Sequence, residues 1–422
     1  MRDLLVFLAL LGGIPWYFLN PYYGVLAFFV VSILNPHRYT WGAAYSFPFA
    51  QYIAFATLLG LLFGRGLRNP LPKERETAIL LALWLMFLVS SLFSLNSDLS
   101  MNELSRVSKI LLMTFVTMWV CCSQERLRYL FWVIALSMGL IGIKGGLFGI
   151  LTGGGHTVFG PPDSFISDNN DVGLAFNIAL PIIYHLATFE KTLRMRKIMM
   201  AIFFLTVLAT ILTFSRGSAI ALAVLLLLIS LVSKNKVRNI LTLCILGFFL
   251  SFFLTEKWTE RMNTINTSDM KEDSSFMGRV NAWHNAWNIA VDRPFTGGGL
   301  AITQSQRIFE RYAPDPNNFH AAHSIYFQML GENGFVGLMI FLVLLCSLLA
   351  SLNRVRRKFA EHPEHQWLSH YAVAIQLSLI GFMINGLTLG RAYFDLAYLV
   401  IAMGIMTKTL ARAVEREQDS FS

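Results

Sequence analysis

The chain has 422 residues, 55% of them hydrophobic and only 14% charged. Its apolar runs repeatedly reach the roughly 20 residues that cross about 30 Å of hydrocarbon, which excludes an ordinary soluble globular protein. The formal net charge of +9 sits in short clusters between those runs, a pattern that sets membrane topology and argues against nucleic acid as a partner.

The first 40 residues hold two short runs, 3–19 and 22–36, separated by NPYYG. Two full crossings there would leave the N-terminus outside despite Arg2, whereas one net crossing built from broken helices keeps it inside. The opening MRDLLVFLALLGGIPWYFL lacks a small-residue cleavage site and runs into further apolar sequence, so it reads as retained. From residue 45 the runs give about eleven alternating crossings. The basic clusters at 64–76, 123–128, 190–197, 233–238 and 353–358, and the tail from Lys408, are expected on the cytoplasmic side. The connections at 96–106, 152–173, 214–218, 256–322 and 388–395 then face outward.

Lipid admits only helices and closed barrels, and continuous apolar runs are not barrel strands. The expected fold is therefore an all-α integral membrane protein with about twelve transmembrane helices and both termini inside. Residues 1–255 form a membrane bundle of about ten spans, 256–322 a large outward loop between the late spans, 323–411 the C-terminal spans, and 412–422 a tail. The loop is partly helical. Ser residues able to cap a helix precede Val280, Trp283, Trp287 and Val291 at helical spacing, and the pattern stops at Pro294 before three glycines. Seven Lys or Arg stand against eight Asp or Glu in it, so it lacks the basic bias of the inward loops. Its Arg261, Arg293, Arg307 and Arg311 either guide anionic groups or pair with Glu256, Glu260, Asp292 and Glu310. Cys121, Cys122, Cys244 and Cys346 lie in or beside apolar runs without metal-ligand spacing, and read as small core residues.

Three polar positions stand out. Arg216 interrupts a long apolar stretch at a tight outer turn, where a cation is expensive unless water or an anion compensates it; it either snorkels to the interface or binds an anion. Arg279 sits at the start of the loop helix on the face of Trp283, a solvated cation or one half of an anion site. His323 opens an apolar span, and the positive helix N-terminus would lower its pKa, leaving a neutral imidazole able to accept a proton. His320 and Asp315 lie close to it in sequence, but no third well-spaced ligand is evident, so no metal is expected there. His362, His365 and His370 fall on the cytoplasmic side.

FSRG after a span, MGRVNAWHNAWNIAVDRPFTGGG in a long outer loop and AHSIYFQMLGENGFVGL opening the next span together resemble the O-antigen ligase and polymerase superfamily. The early NPHRYTWGAAYSFPFAQ further resembles a branch of O-glycosylation ligases associated with exosortase systems. The resemblance implies a metal-independent, cofactor-free glycosyltransferase of the bacterial inner membrane, its site and its large loop periplasmic. The implied donor is an undecaprenyl pyrophosphate-linked glycan, and the implied acceptor is lipid A core or another periplasmic acceptor. Carried over by motif, Arg216 and Arg279 would bind the pyrophosphate and His323 would be the general base, with inversion at the anomeric carbon. SDNNDVGLAF resembles a polar patch of the same superfamily, in which Asn170 or Asp171 either contacts substrate or caps the helix from Val172. Arg391 in TLGRAYFD is either a third phosphate contact or an interface anchor beside Tyr393 and Asp395. A polymerase, a protein O-glycosylation ligase and a transporter of lipid-linked sugars remain as alternatives. The transporter is disfavoured because the notable polar residues gather on the outer side alone.

Overall fold

The computed structural model describes residues 2–63, 70–233, 236 and 274–421. Among them every regular element is helical and none is a strand, as an all-α integral membrane protein requires. In chain order the helices are α1 (Arg2–Leu11), α2 (Ile14–Leu19), α3 (Pro21–Leu34), α4 (Phe49–Phe63), α5 (Arg75–Leu92), α6 (Ser97–Cys121), α7 (Gln124–Leu151) and α8 (Asn169–Phe189). Then follow α9 (Leu193–Ile211), α10 (Arg216–Val232), α11 (Ser274–Asp292), α12 (Gln306–Tyr312), α13 (Ile325–Phe359), α14 (Gln366–Asn385) and α15 (Asp395–Phe421). Among the described residues eight helical stretches are long and apolar enough to cross a membrane: α1 with α2, then α5, α6, α7, α8, α13, α14 and α15. Three shorter apolar helices, α3, α4 and α10, accompany them. The expected loop segment 256–273, the cluster at 64–69, Cys244 and Arg261 lie outside the described residues.

The helices begin where short polar side chains stop the preceding connection. Asn96, Ser123, Asp168, Thr192 and Ser215 each accept a hydrogen bond from a backbone N–H two or three residues on, satisfying donors that a helix leaves open at its start. The helix α8 is apolar nearly all round and is the most enclosed, packed by α7, α9, α10 and α14. The first half of α15 is its counterpart, held among α6, α13 and α14. In the first 40 residues α1 and α2 bury no residue, and α2 packs onto α3 and α4. The helix α15 runs without a break through the segment expected as a tail. Cys121 is buried, but Cys346 is exposed on α13 and so is no core residue.

The connections sort into two sets at opposite ends. At one end, Leu95 N donates to Gly298 O (2.9 Å), Val158 N to Leu212 O (2.9 Å) and Ile325 N to Gly386 O (2.8 Å). These bonds gather the segments around residues 95, 158, 212, 298, 325 and 386. At the other end Arg128 pairs with Glu190 at 2.5 Å and Lys358 with Glu415 at 3.0 Å. A buried network there ties α5, α13 and α15. Glu76, fully buried, pairs with the Lys408 ammonium and accepts from Ser347 Oγ (2.6 Å) and Ser351 Oγ (2.8 Å). Glu74 pairs with Lys408 at 3.0 Å and Arg412 at 2.8 Å.

Removing one member of a buried ion pair leaves the other charge uncompensated, at a cost of about 3–5 kcal/mol. Lys408→Met is therefore expected to lower the thermal unfolding midpoint in detergent sharply. The double variant Glu76→Gln with Lys408→Met should recover most of the loss. Equal melting of the single variant and the parent would contradict this account.

Candidate active site

The span α13 is broken within its first three turns. Gly334 has φ 66° and ψ −171°, a conformation that only glycine adopts without strain. The loop Pro294 to Gly299 fills the break. Gly298 N donates to Gly331 O (2.9 Å), Gly299 N to Glu332 O (3.0 Å), and Phe335 N to Pro294 O (2.9 Å). The glycine-rich end of the loop and the Gly-Glu-Asn-Gly of the span are thus two halves of one joint. Glu332, buried just before it, accepts from Tyr393 Oη at 2.7 Å and Thr303 Oγ1 at 3.0 Å. Asn333 Nδ2 donates to the same Tyr393 oxygen at 3.0 Å, and Gln328 Oε1 accepts from Ala392 N at 3.0 Å. The two polar residues that interrupt the apolar run therefore fasten the 386–394 loop to α13.

Helix α11 orders the rest of the connection. Asn281 Nδ2 donates to Asp315 O (2.7 Å) and Asn318 O (3.1 Å), while its Oδ1 accepts from Asp315 N (3.0 Å). Asn288 Nδ2 donates to Tyr312 O at 2.8 Å. Trp283 Nε1 donates to Ala322 O at 2.8 Å, and its indole stacks on Phe327 with centroids 5.1 Å apart. The buried face of α11 is Ala282, Ala286, Ile289 and Ala290, whereas Trp287 and Val291 are 49% and 58% exposed. The expected stripe of large residues is thus not the packed one: small side chains let α11 close on α13 at Gly331.

His323 precedes the span and does not begin it. Ile325 is the first helical residue and Ser324 occupies the cap position. His323 itself has φ 42°, an uncommon left-handed conformation for a residue with a side chain. Its pKa is lowered from 6.5, first by burial, then by Arg279, His320 and Arg391, with Asp168 opposing. Burial and neighbouring cations thus favour the neutral imidazole.

Each of the three arginines stands next to a glycine that is closely approached. A Cβ on Gly278 would collide with the His320 ring, and one on Gly217 with Thr388 Oγ1; a Cβ on Gly390 would lie 3.3 Å from His323 N. Gly217 follows Arg216, Gly278 precedes Arg279 and Gly390 precedes Arg391, so the approaches at Gly278 and Gly390 bring Arg279 and Arg391 toward His320 and His323, whereas the one at Gly217 sets Arg216 beside Thr388. Arg216 is the first residue of α10, Arg279 lies in the second turn of α11, and both are half-buried. Arg279 therefore stands past the helix start that the sequence pattern assigned to it.

Two further assignments change. Helix α8 starts at Asn169, and its cap is Asp168, which accepts from Asn170 N at 2.8 Å; neither Asn170 nor Asp171 caps it. Asp171 instead holds Arg391: Nε donates to Oδ1 at 2.6 Å and Nη2 to Oδ2, a bidentate pair with Asp171 2% and Arg391 45% exposed. Of the neighbouring residues, Tyr393 serves Glu332 and Asp395 accepts from Ser32 Oγ at 3.2 Å. In the connection between α11 and α12 Arg293 Nε donates to Gly297 O at 2.9 Å, closing the glycine turn, and Asp292 accepts from Tyr312 Oη at 2.6 Å. Asp315 accepts from Asn317 N at 3.1 Å, and among the described residues no three His, Cys, Asp or Glu side chains gather at metal distance. Sequence reasoning missed Tyr393, Thr303, Gln328 and Asp168. Only a buried acid in an apolar run, Glu332, signalled that such partners had to exist.

Gly334→Ala would place a Cβ 2.5 Å from Pro294 O on a positive φ, and strain of this kind costs about 1–3 kcal/mol. A lower thermal midpoint in detergent is expected for it. Unchanged melting would mean that the joint does not need this break.

Residues 201–342 match the model of a family described as O-antigen ligase, and residues 1–191 match a family of unknown function. No curated protein matches the chain. The first match contains Arg216, Arg279, His320, His323 and the Gly-Glu-Asn-Gly joint, all of them elements of the geometry described above. The match over residues 201–342 supports membership of the O-antigen ligase superfamily.

Proposed function

We propose that the protein transfers a glycan from undecaprenyl pyrophosphate to lipid A core at the periplasmic face of the bacterial inner membrane, with inversion at the anomeric carbon. The observation that carries this reading is a half-buried His323 whose pKa is lowered by burial and by Arg279 and Arg391, arginines from two separate segments. His323 takes the proton of the acceptor hydroxyl, the oxygen attacks the anomeric carbon, and the bond to the pyrophosphate oxygen breaks. Arg216 and Arg279 stabilise the charge that grows on the departing polyprenyl pyrophosphate, since guanidinium groups contact phosphate oxygens in pairs. Arg391, half exposed and aligned by Asp171, adds a third cation whose direction is preset. His320 packs against Gly278 and so fixes how Arg279 approaches His323. Both termini are cytoplasmic on this reading, which puts the end bearing Glu76 and Lys408 inside.

The test is transfer in vitro with purified protein, undecaprenyl pyrophosphate-linked glycan and lipid A core, in the presence of EDTA. The parent should form product, and folded His323→Ala should lose about 10²–10⁴-fold in rate, the usual worth of a positioned base. If the parent only lengthens the lipid-linked glycan, the polymerase reading replaces this one. Transfer to a periplasmic protein alone would make it a protein O-glycosylation ligase. Full activity of His323→Ala would sink the role given to the histidine.

The pH profile supplies a second check. Because the folded pKa of His323 lies below 6.5, kcat/KM should be flat near neutrality and fall only as pH drops through that lowered value. Arg279→Gln removes a cation that disfavours the imidazolium, so it should move this acid limb to higher pH as well as slow transfer. An acid limb left in place by Arg279→Gln would contradict the electrostatic coupling.

A further inference from the structure

A polar cleft lined in part by Gly390 and Arg391 lies beside His323. Glu103 and Arg106 of α6, Gln304, Gln328 of α13, Arg391 and Asp395 line it. Gly390 also lines it, and the position of a Cβ there is 3.3 Å from His323 N, so cleft and histidine share a wall. Phe165 and Phe394, their rings 5.1 Å apart, form an apolar side. The cleft is shallow, of a size for one or two ordered waters and not for a whole ring.

Its chemistry selects a ligand class. Two arginines face two carboxylates, so the lining is formally neutral. A second phosphate would meet Glu103 and Asp395, and a cation would meet Arg106 and Arg391. Hydroxyl groups both donate and accept, and suit carboxylates, guanidinium groups and the two amides at once. The apolar carbons of a sugar ring suit the phenylalanine pair. Much of the lining is set in place beforehand: Arg106 Nε donates to Glu103 at 2.9 Å, Gln328 is tied to Ala392 N, and Arg391 is aligned by Asp171.

We infer that this cleft binds the hydroxyl-bearing edge of a sugar ring, in the donor or the acceptor glycan, next to the reacting carbon. The inference rests on the proposed glycosyl transfer for its kinetic test but not for its binding test. Gln304→Ala, at an exposed position, and Glu103→Gln are compared with the parent in lipid nanodiscs. Saturation-transfer NMR with free N-acetylglucosamine is expected to show signal on the parent that both variants reduce and that inorganic pyrophosphate does not displace.

In steady-state transfer the same variants should raise one KM about tenfold, the loss of one or two hydrogen bonds, and spare kcat. A rise in the donor KM assigns the edge to the donor glycan, and a rise in the acceptor KM assigns it to the acceptor. Unchanged values of both KM in folded, active variants, or no saturation transfer on the parent, would overturn the inference. Absence of any transfer by a parent that still binds the sugar at this cleft would instead remove the functional reading and leave the site.

Discussion

A membrane helix that breaks must find new partners for the backbone groups that the break frees, because lipid offers none. At Gly334 those partners come from one short loop, whose glycines donate to the carbonyls of Gly331 and Glu332 while Pro294 O accepts from Phe335. Only a backbone without side chains approaches a helix closely enough to do this. The joint fixes where α11 ends, and α11 in turn fixes the Ala322 carbonyl and the turn at residues 315–318 through Trp283 and Asn281. His320 is carried between these two anchors, and His323 directly follows the second. The position of the imidazole thus depends on a backbone repair several residues away.

The same economy governs charge. At the end that carries His323, Asp171 is buried and bidentate to Arg391, and at the opposite end Glu76 is buried against Lys408. The two pairs differ in exposure: Lys408 is 7% exposed and Arg391 is 45% exposed. A fully enclosed pair mainly joins helices, since each charge spends its field on the other. A pair with one member open to solvent leaves a guanidinium aimed outward in a set direction. That difference separates a structural network from a candidate anion site with similar chemistry.

Membrane character was legible from the apolar runs, and the sorting of connections into two ends from the alternation of basic and non-basic loops. The motifs around Arg216, Arg279 and His323 were legible because a cation or an imidazole beside an apolar span has few inexpensive explanations. Local capping was less so. Three polar residues in a row, Asp168, Asn169 and Asn170, are nearly equivalent caps by composition, and only the backbone at Asp168 chose among them. The packed face of α11 was misread because hydrophobic size, the usual guide, fails where helices close on alanine and glycine.

By itself the sequence determined that this chain crosses a membrane many times, which connections share an end, and which basic residues and histidine are hard to explain as structure. Those features depend on composition and on neighbours along the chain. Tertiary structure alone decided that Arg391 is held by Asp171, 220 residues away, that Glu332 and Asn333 fasten the Tyr393 loop, and that His323 lies outside the helix it precedes. Each of these depends on which segments meet in space. An acid in an apolar run announces that it needs a partner, but only the folded chain determines which one arrives.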